Sequence, residues 1–143
     1  MYLDLDIVRK KLEIIDDEIN FLKEIQKLSI NEFQNDLRNL KSTCRSLQNA
    51  IQALIDLGNH IISSLNLGKP EIYEDIPSLL FENKVITKSF KEKFIYMIKF
   101  RNFLVHEYDR VDPLRIYKIL KENIDDIESG MKFIKNFVDK NLK

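Results

Sequence analysis

Residues 33–65 read FQNDLRNLKSTCRSLQNAIQALIDLGNHIISSL, the longest regular pattern in the chain. Apolar residues, with one glycine among them, recur there every three or four positions: Phe33, Leu37, Leu40, Cys44, Leu47, Ile51, Leu54, Gly58, Ile61 and Leu65. This spacing places them on one face of an α-helix. The sequence therefore predicts one long helix, buried along that face, that ends before Gly68-Lys69-Pro70.

The segment before the long helix carries helix signals of its own. Residues 4–28 predict a first helix, with apolar side chains at Leu5, Val8, Leu12, Ile15, Ile19 and Leu22. Ser29-Ile30-Asn31-Glu32 matches a capping box, in which the serine hydroxyl and the glutamate each satisfy an unpaired backbone donor, so the next helix should begin there. A break near Asn35-Asp36 would make its first turn or two a separate short helix.

Three further helices are predicted after the long one, the first of them short. Between residues 68 and 87 the periodicity lapses, and this connector is expected to contain a short helix near residues 78–82 and could form a lid. Thr87 or Ser89 can cap a helix whose apolar residues are Phe90, Phe94, Met97, Ile98, Phe100, Leu104 and Val105. The dipeptide Asp112-Pro113 predicts the start of a last helix with the stripe Leu114, Tyr117, Leu120, Ile124, Ile127, Met131, Ile134 and Val138.

Composition agrees with a helical fold. A chain of 143 residues fits one compact domain. With only 3 Gly and 3 Pro, and with 44% hydrophobic and 32% charged residues, there is little material for the turns of a β-protein. We therefore expect a single all-α domain over residues 1–143, built as an antiparallel up-and-down bundle of four main helices plus one short extra helix.

The charge balance limits how the chain could meet nucleic acid. Lys and Arg number 23, as do Asp and Glu, so the overall field does not attract phosphates. Residues 82–101 contain six basic side chains against two acidic ones. This segment is either a solvated helix face or a local patch that attracts phosphate, and its position next to the motif described below favours the patch.

Three other features have structural interpretations. Cys44 is the only cysteine, so no intrachain disulfide can form, and its place on the apolar stripe predicts a buried thiol. His60 has no partner at metal-ligand spacing and is expected to be a packing histidine, while Gly58 suggests the close approach of another backbone. The first residues mix charged and apolar side chains, which predicts a cytoplasmic protein without a membrane segment.

Polar side chains that suit catalysis cluster in residues 100–113, FRNFLVHEYDRVDP, at the predicted end of a helix. On a helix that advances about 100° per residue, Asn102 and His106 lie one turn apart on the same stripe, whereas Arg101 and His106 are offset by roughly 140°. One helix therefore cannot easily bring Arg101 and His106 onto one small target. A groove shared with a second helix, or with a second copy of the chain, could do so.

These residue types suit RNA cleavage. Histidine can donate or accept a proton near neutral pH, and arginine holds two phosphate oxygens with a permanent charge. Asn102 could orient the His106 ring or a phosphate, and Tyr108 could stack on a base or donate a hydrogen bond. The alternative is structural: Arg101 would pair with an acid such as Glu107 or Asp109, while His106 and Tyr108 cap the end of the bundle. Residue types alone favour this structural alternative.

The Arg-x4-His-x-Tyr arrangement of Arg101, His106 and Tyr108 closely resembles the signature of HEPN-domain proteins of the HepT type. The resemblance extends to RSLQNAIQALIDLGNHII at residues 45–62, to the segment at residues 70–80 and to the chain length. It implies a ribonuclease toxin that forms a homodimer, in which two copies of the motif meet. It also implies a partner, an MntA-type minimal nucleotidyltransferase, that neutralises the toxin by adding AMP to Tyr108.

With this resemblance, Arg101 and His106 become the expected catalytic residues, and Asn102 and Tyr108 the supporting ones. No cofactor is expected, and no cluster of Cys, His or carboxylates has metal-ligand spacing, so cleavage should not need a metal. Two other classes stay open. The chain could be a catalytically silent adaptor or substrate-binding subunit of a nucleotidyltransferase, or a purely structural dimerising bundle.

Overall fold

The computed structural model describes residues 3–141, which are almost entirely helical. The helices are α1 (Leu5–Ile25), α2 (Ile30–Asn35), α3 (Leu37–Ser64), α4 (Asp75–Glu82), α5 (Lys88–His106), α6 (Pro113–Glu122) and α7 (Ile124–Asn141), with a single turn of 3-10 helix at Tyr108–Arg110. The all-α prediction is confirmed. None of the described helices is long and apolar enough to cross a membrane.

Helices α1, α3, α5 and α7 form the body of the molecule. Helix α1 runs antiparallel to α3, because Lys11 Nζ lies 2.8 Å from Asp56 Oδ2 near one end while Ser46 Oγ reaches the Glu18 carbonyl near the other. Most of the predicted stripe of α3 faces the other helices, and its central residues Leu47, Ile51, Leu54 and Ile61 are at most 2% exposed. Leu37, in the first turn, was expected on the buried face but is 61% exposed. The longest sequence pattern therefore becomes the central helix of the core.

Helix α5 lies between α3 and α7, on the opposite side of the bundle from α1. At Gly130 of α7 an added methyl group would lie 2.6 Å from the ring of Phe90 and 2.9 Å from Leu54, so the three helices meet at a position that only glycine fits. Lys93 of α5 pairs with Asp126 of α7 at 3.2 Å, one turn away. These contacts complete the predicted antiparallel, up-and-down arrangement.

The predicted helix starts are confirmed. Ser29 and Glu32 form the capping box, Thr87 Oγ1 accepts from Phe90 N, and Asp112 caps α6 with Pro113 at its first position. The break at Asn35-Asp36 is also present: Asp36 is extended and its carboxylate accepts from Arg38 N, so it ends α2 and caps α3.

The sequence pattern was wrong about the last helix, which is two helices. Asn123 ends α6, and its side chain donates to Asp126 Oδ2 at 3.2 Å, so that it turns the chain into α7. A side-chain amide that bonds nearby groups competes with the helical backbone, and apolar periodicity alone does not register this. The short helix also begins at Asp75, before the predicted Ser78.

The close approach at Gly58 comes from side chains of α4, not from another backbone. An added methyl group there would lie 2.8 Å from Ile76 Cγ2 and 3.0 Å from Leu80 Cδ1. Ile76 and Leu80 are almost fully buried at this contact. Gly58 therefore fixes how closely α4, and the connector that precedes it, packs on the bundle.

Candidate active site at the end of helix α5

The last two turns of α5 carry the predicted catalytic residues on a well-anchored helix. Phe100 and Leu104 are 5% and 2% exposed and hold these turns against the core. Arg101 and Asn102 are half-buried beside them, and His106, the last helical residue, is exposed. The apolar residues thus fix the backbone while the polar side chains point away from the core.

Arg101 is held by groups that leave most of its donors unused. Its Nη1 donates to Asn102 Oδ1 at 2.9 Å, and its Cζ lies 5.5 Å from the centre of the Tyr73 ring, a cation–π distance. Its Nε is buried without a hydrogen-bond partner in the described structure. Asn102, expected to orient His106 or a phosphate, accepts this hydrogen bond from Arg101 and makes no side-chain hydrogen bond to His106 in the described residues.

Residues 3–141 do not show the structural alternative, in which Arg101 pairs with Glu107 or Asp109. Glu107 pairs with Arg110, with Arg110 Nε 3.4 Å from Glu107 Oε2. No carboxylate within salt-bridge distance of Arg101 is found among the described residues. The guanidinium charge therefore has no internal counter-ion in that part of the chain and is available to an external anion.

His106 and Tyr108 lie where the helix ends. Glu107 N donates to the Phe103 carbonyl at 2.8 Å, after which the chain passes into the 3-10 turn that starts at Tyr108. The helix was expected to end within residues 100–113, and it ends at His106, so Tyr108 lies just outside it. His106 makes no side-chain hydrogen bond within residues 3–141, and Tyr108 is 41% exposed. Both side chains can reach a molecule outside the bundle.

Cys44 of α3 influences the phenol of Tyr108. The Cys44 thiol is buried, as the sequence predicted. Burial raises its pKa to about 11. The pKa of Tyr108 is raised by partial burial and, to a smaller extent, by the nearby Cys44 thiolate that would form at high pH. At neutral pH both groups are therefore uncharged.

Two side chains near the site had no signal in the sequence pattern. Tyr73 comes from the connector before α4, nearly thirty positions from Arg101. Arg115, in the first turn of α6, places its Cζ 5.3 Å from the centre of the Phe100 ring and 5.1 Å from that of Phe103. Only the packing of α4 and α6 against α5 brings these side chains to the motif.

The other histidine has the packing role expected of it. His60 Nε2 accepts from Asp4 N at 3.1 Å, and Ser64 Oγ lies 3.4 Å from the same nitrogen. It therefore joins the start of α1 to α3, away from Arg101. Among residues 3–141, no group of three or more His, Cys, Asp or Glu side chains is placed to hold a metal ion.

Solved structures define the class to which this fold and site belong. A Shewanella oneidensis structure described as a tri-AMPylated HEPN toxin in complex with MNT antitoxin matches with a TM-score of 0.84 and 27% identity, over 92% of this chain and 98% of that one. The cytosolic protein YutE of Bacillus subtilis matches with a TM-score of 0.86 over 99% of this chain, but at 22% identity it shows the fold alone. The class is the HEPN helical bundle.

Sequence comparison gives the family. The family described as "Ribonuclease HepT-like" matches residues 15–134. The tRNA nuclease HepT of Aphanizomenon flos-aquae is 30% identical over 111 residues, 78% of this chain and 76% of that protein. The mRNA nuclease HepT of Shewanella oneidensis is 28% identical over 132 residues, 91% of this chain and 97% of that protein. The chain belongs to the HepT-like ribonuclease family, as the Arg-x4-His-x-Tyr resemblance predicted.

Proposed function

We propose that this chain is the toxin of a toxin–antitoxin pair: a metal-independent endoribonuclease that acts in the cytoplasm through Arg101 and His106 and is neutralised by a minimal nucleotidyltransferase. The observation that carries the proposal is the set of uncommitted polar groups at the end of α5, in a chain of a ribonuclease family. Metal independence is part of the proposal, and cleavage in the presence of EDTA tests it.

The chemistry needs a proton-transfer group and a phosphate-binding cation. In the proposed step the 2′-oxygen attacks the adjacent phosphorus and the 5′-oxygen leaves, so one proton is removed and one is supplied. His106 exchanges one of these two protons, as base at the 2′-oxygen or as acid at the 5′-oxygen, and water exchanges the other. The Nη donors of Arg101 that Asn102 does not use stabilise the extra negative charge on the phosphoryl oxygens. Asn102 therefore acts by holding Arg101 in place.

A second copy of the chain would complete this site. Arg101 and His106 diverge by roughly 140° around α5, so a single α5 presents them poorly to one phosphate. Exposed apolar side chains surround the same end of the bundle: Val105 at 39%, Tyr108 at 41% and Leu114 at 53%. An isologous homodimer there would cover these side chains and bring two motifs together.

The dimer is tested by light scattering with two matched substitutions. Leu114→Glu places a charge on the proposed interface and should shift the protein towards the monomer at micromolar concentration. Ile14→Glu changes a side chain that is 40% exposed on α1, across the bundle from α5, and should leave the dimer intact. Ile14 and Phe21 lie off the main apolar stripe of α1 and offer the alternative helix face for a dimer, so dissociation by Ile14→Glu alone would place the interface on α1 instead. A wild-type monomer at that concentration contradicts the shared site.

Neutralisation is proposed to occur on Tyr108. The phenol oxygen would attack the α-phosphorus of ATP and displace pyrophosphate. The phenol of a tyrosine is protonated at neutral pH, so the nucleotidyltransferase must accept its proton, and the raised pKa of Tyr108 opposes its release. Attached AMP would add bulk and negative charge beside Arg101 and His106 and so exclude RNA. The solved toxin described as tri-AMPylated supports this chemistry.

Mass spectrometry after co-expression with a cognate nucleotidyltransferase tests this step. We expect the chain to gain one or more AMP units and Tyr108→Phe to prevent the gain. Tyr96→Phe is the control, because Tyr96 is 55% exposed on α5 but lies outside the motif. Modification of a different residue, or an unchanged mass in the presence of an active partner, contradicts the role of Tyr108. The nucleotidyltransferase would then neutralise the toxin by binding to it.

A further inference from the structure

The connector presents Tyr73 to Arg101 from a fixed backbone. The Asp75 carboxylate accepts from Glu71 N at 2.9 Å and from Ile72 N at 3.2 Å, and Ile76 N donates to the Tyr73 carbonyl at 3.0 Å. Ile76 is in turn buried against Gly58. Although Tyr73 is 42% exposed, its backbone is therefore tied to the core through α4.

Helix α4 runs antiparallel to α5, which extends the contact along the helix. Phe81 near the end of α4 lies under Lys91 Nζ, 4.9 Å from the ring centre, while Tyr73 just before α4 lies under Arg101. Two cation–ring contacts therefore join the two segments, one near the start of α5 and one beside the motif. The second contact places Tyr73 of the connector against Arg101, the proposed phosphate-binding side chain.

The surroundings of Arg101 show that its position is not set by hydrogen bonding alone. Asn102 accepts from Nη1 only, and Nε is buried without an acceptor. An unpaired buried donor has an energetic cost, so a freely moving Arg101 would turn its Nε towards water. The Tyr73 ring packs at the guanidinium and opposes that rotation, since a planar cation is attracted to an aromatic face.

We propose that Tyr73 is a positioning residue for Arg101: its ring holds the guanidinium in the orientation that Asn102 also selects, with Nε buried and the unused Nη donors free for a phosphate. The inference rests on the proposed function, in which Arg101 binds the phosphate of RNA. Tyr73 itself does not contact the RNA in this arrangement. Its effect on RNA binding must therefore pass entirely through Arg101.

RNA binding in a double-mutant cycle tests this dependence. The probe is a short 2′-O-methyl RNA, which lacks the 2′-hydroxyl needed for the proposed cleavage, and its Kd is measured by fluorescence anisotropy. A half-exposed cation–π contact predicts that Tyr73→Leu weakens binding roughly two- to fivefold, whereas Tyr73→Phe keeps the ring and binds as the wild type does. In Arg101→Ala protein, Tyr73→Leu should have no further effect.

Three outcomes of the cycle overturn the proposal. If Tyr73→Leu weakens binding equally with and without Arg101, Tyr73 contacts the RNA itself. If it has no effect in either protein, the ring does not position Arg101. If Ile72→Ala has the same effect as Tyr73→Leu, the cause is a disturbed connector, because Ile72 is 57% exposed and adjacent to Tyr73. Thermal unfolding of each variant checks that it is folded.

A readout that does not depend on RNA separates this inference from the proposed function. The buried Nε–H of Arg101 should give a ¹H–¹⁵N signal protected from solvent exchange in the wild type and in Tyr73→Phe, and the protection should be lost in Tyr73→Leu. Equal protection in all three proteins contradicts the positioning role. Failure of the wild type to bind RNA, with the protection pattern as expected, contradicts only the proposed function.

Discussion

The body of α5 and its end use side chains in opposite ways. In the body, Phe90, Phe94 and Ile98 are at most 4% exposed, and Phe90 packs on both Phe94 and Phe133 with ring centres 5.7 and 5.3 Å apart. At the end, Arg101 has a buried Nε without a partner and His106 is exposed on the last turn. One helix thus contains a fully packed segment followed by one whose polar groups are left uncommitted.

The contrast indicates what each segment contributes. Buried polar groups in folded proteins are normally paired, so the unpaired Nε of Arg101 indicates that this side chain is not placed for stability alone. Substitutions in the body should therefore change stability with little effect on the chemistry. Substitutions at the end should change the chemistry with little effect on stability.

The largest effect is expected from the body. Phe94→Ala removes a ring that is 0% exposed, and it should lower the free energy of unfolding by about 3–5 kcal/mol because of lost transfer energy and the cavity left behind. Denaturant unfolding measures this. The control is Tyr96→Ala, two positions away and mostly exposed, which should cost no more than about 0.5 kcal/mol. Equal costs would mean that the body is not the packed segment.

Arg101→Ala should have the next largest effect, on activity only. Loss of a donor that stabilises transition-state charge predicts a fall in RNA cleavage of about 100-fold or more. The melting temperature should hardly change, because Arg101 donates only the one hydrogen bond to its neighbour Asn102 and leaves Nε unpaired. A large loss of stability would instead make Arg101 part of the packed body.

The smallest effect concerns Cys44, beneath the end of α5. Its pKa is raised to about 11 from an ordinary 9.0, so the thiol ionises at a lower pH in the unfolded chain than in the folded one. The free energy of unfolding therefore falls as the pH rises from 9 towards 11. At pH 10 this amounts to about 1.4 kcal/mol. Unfolding curves at pH 8 and 10 should show that Cys44→Ala loses less stability over this interval than the wild type. Equal losses would mean that the thiol is not buried.

The sequence predicted the packed segments better than the site. Apolar spacing located α1, α3 and the body of α5, because burial along one face repeats with the helix period. It failed at Asn123, where a side-chain hydrogen bond ends a helix without interrupting the apolar stripe. The capping signals succeeded at Ser29, Thr87 and Asp112, because each depends on residues that are close in the chain.

The candidate site residues could be named from the sequence, but their contacts could not. Arg101, His106 and Tyr108 come from a local motif, their roles stay predictions, and the Asp112-Pro113 signal indicated that the helix stops near Tyr108. That Asn102 holds Arg101, and that Tyr73 packs on it, depends on side-chain rotamers and on the fold of the connector. Neither depends on spacing along the chain.

The rate of RNA cleavage in the presence of EDTA, for His106→Ala beside His60→Ala, tests the proposed mechanism most directly. The two substitutions remove the same side chain, one from the exposed end of α5 and one from the packed junction of α1 and α3. We predict that wild type and His60→Ala cleave at similar rates and that folded His106→Ala is slower by about 100-fold or more. Cleavage by His106→Ala at the wild-type rate, or a requirement for added metal in the wild type, would contradict the proposed mechanism.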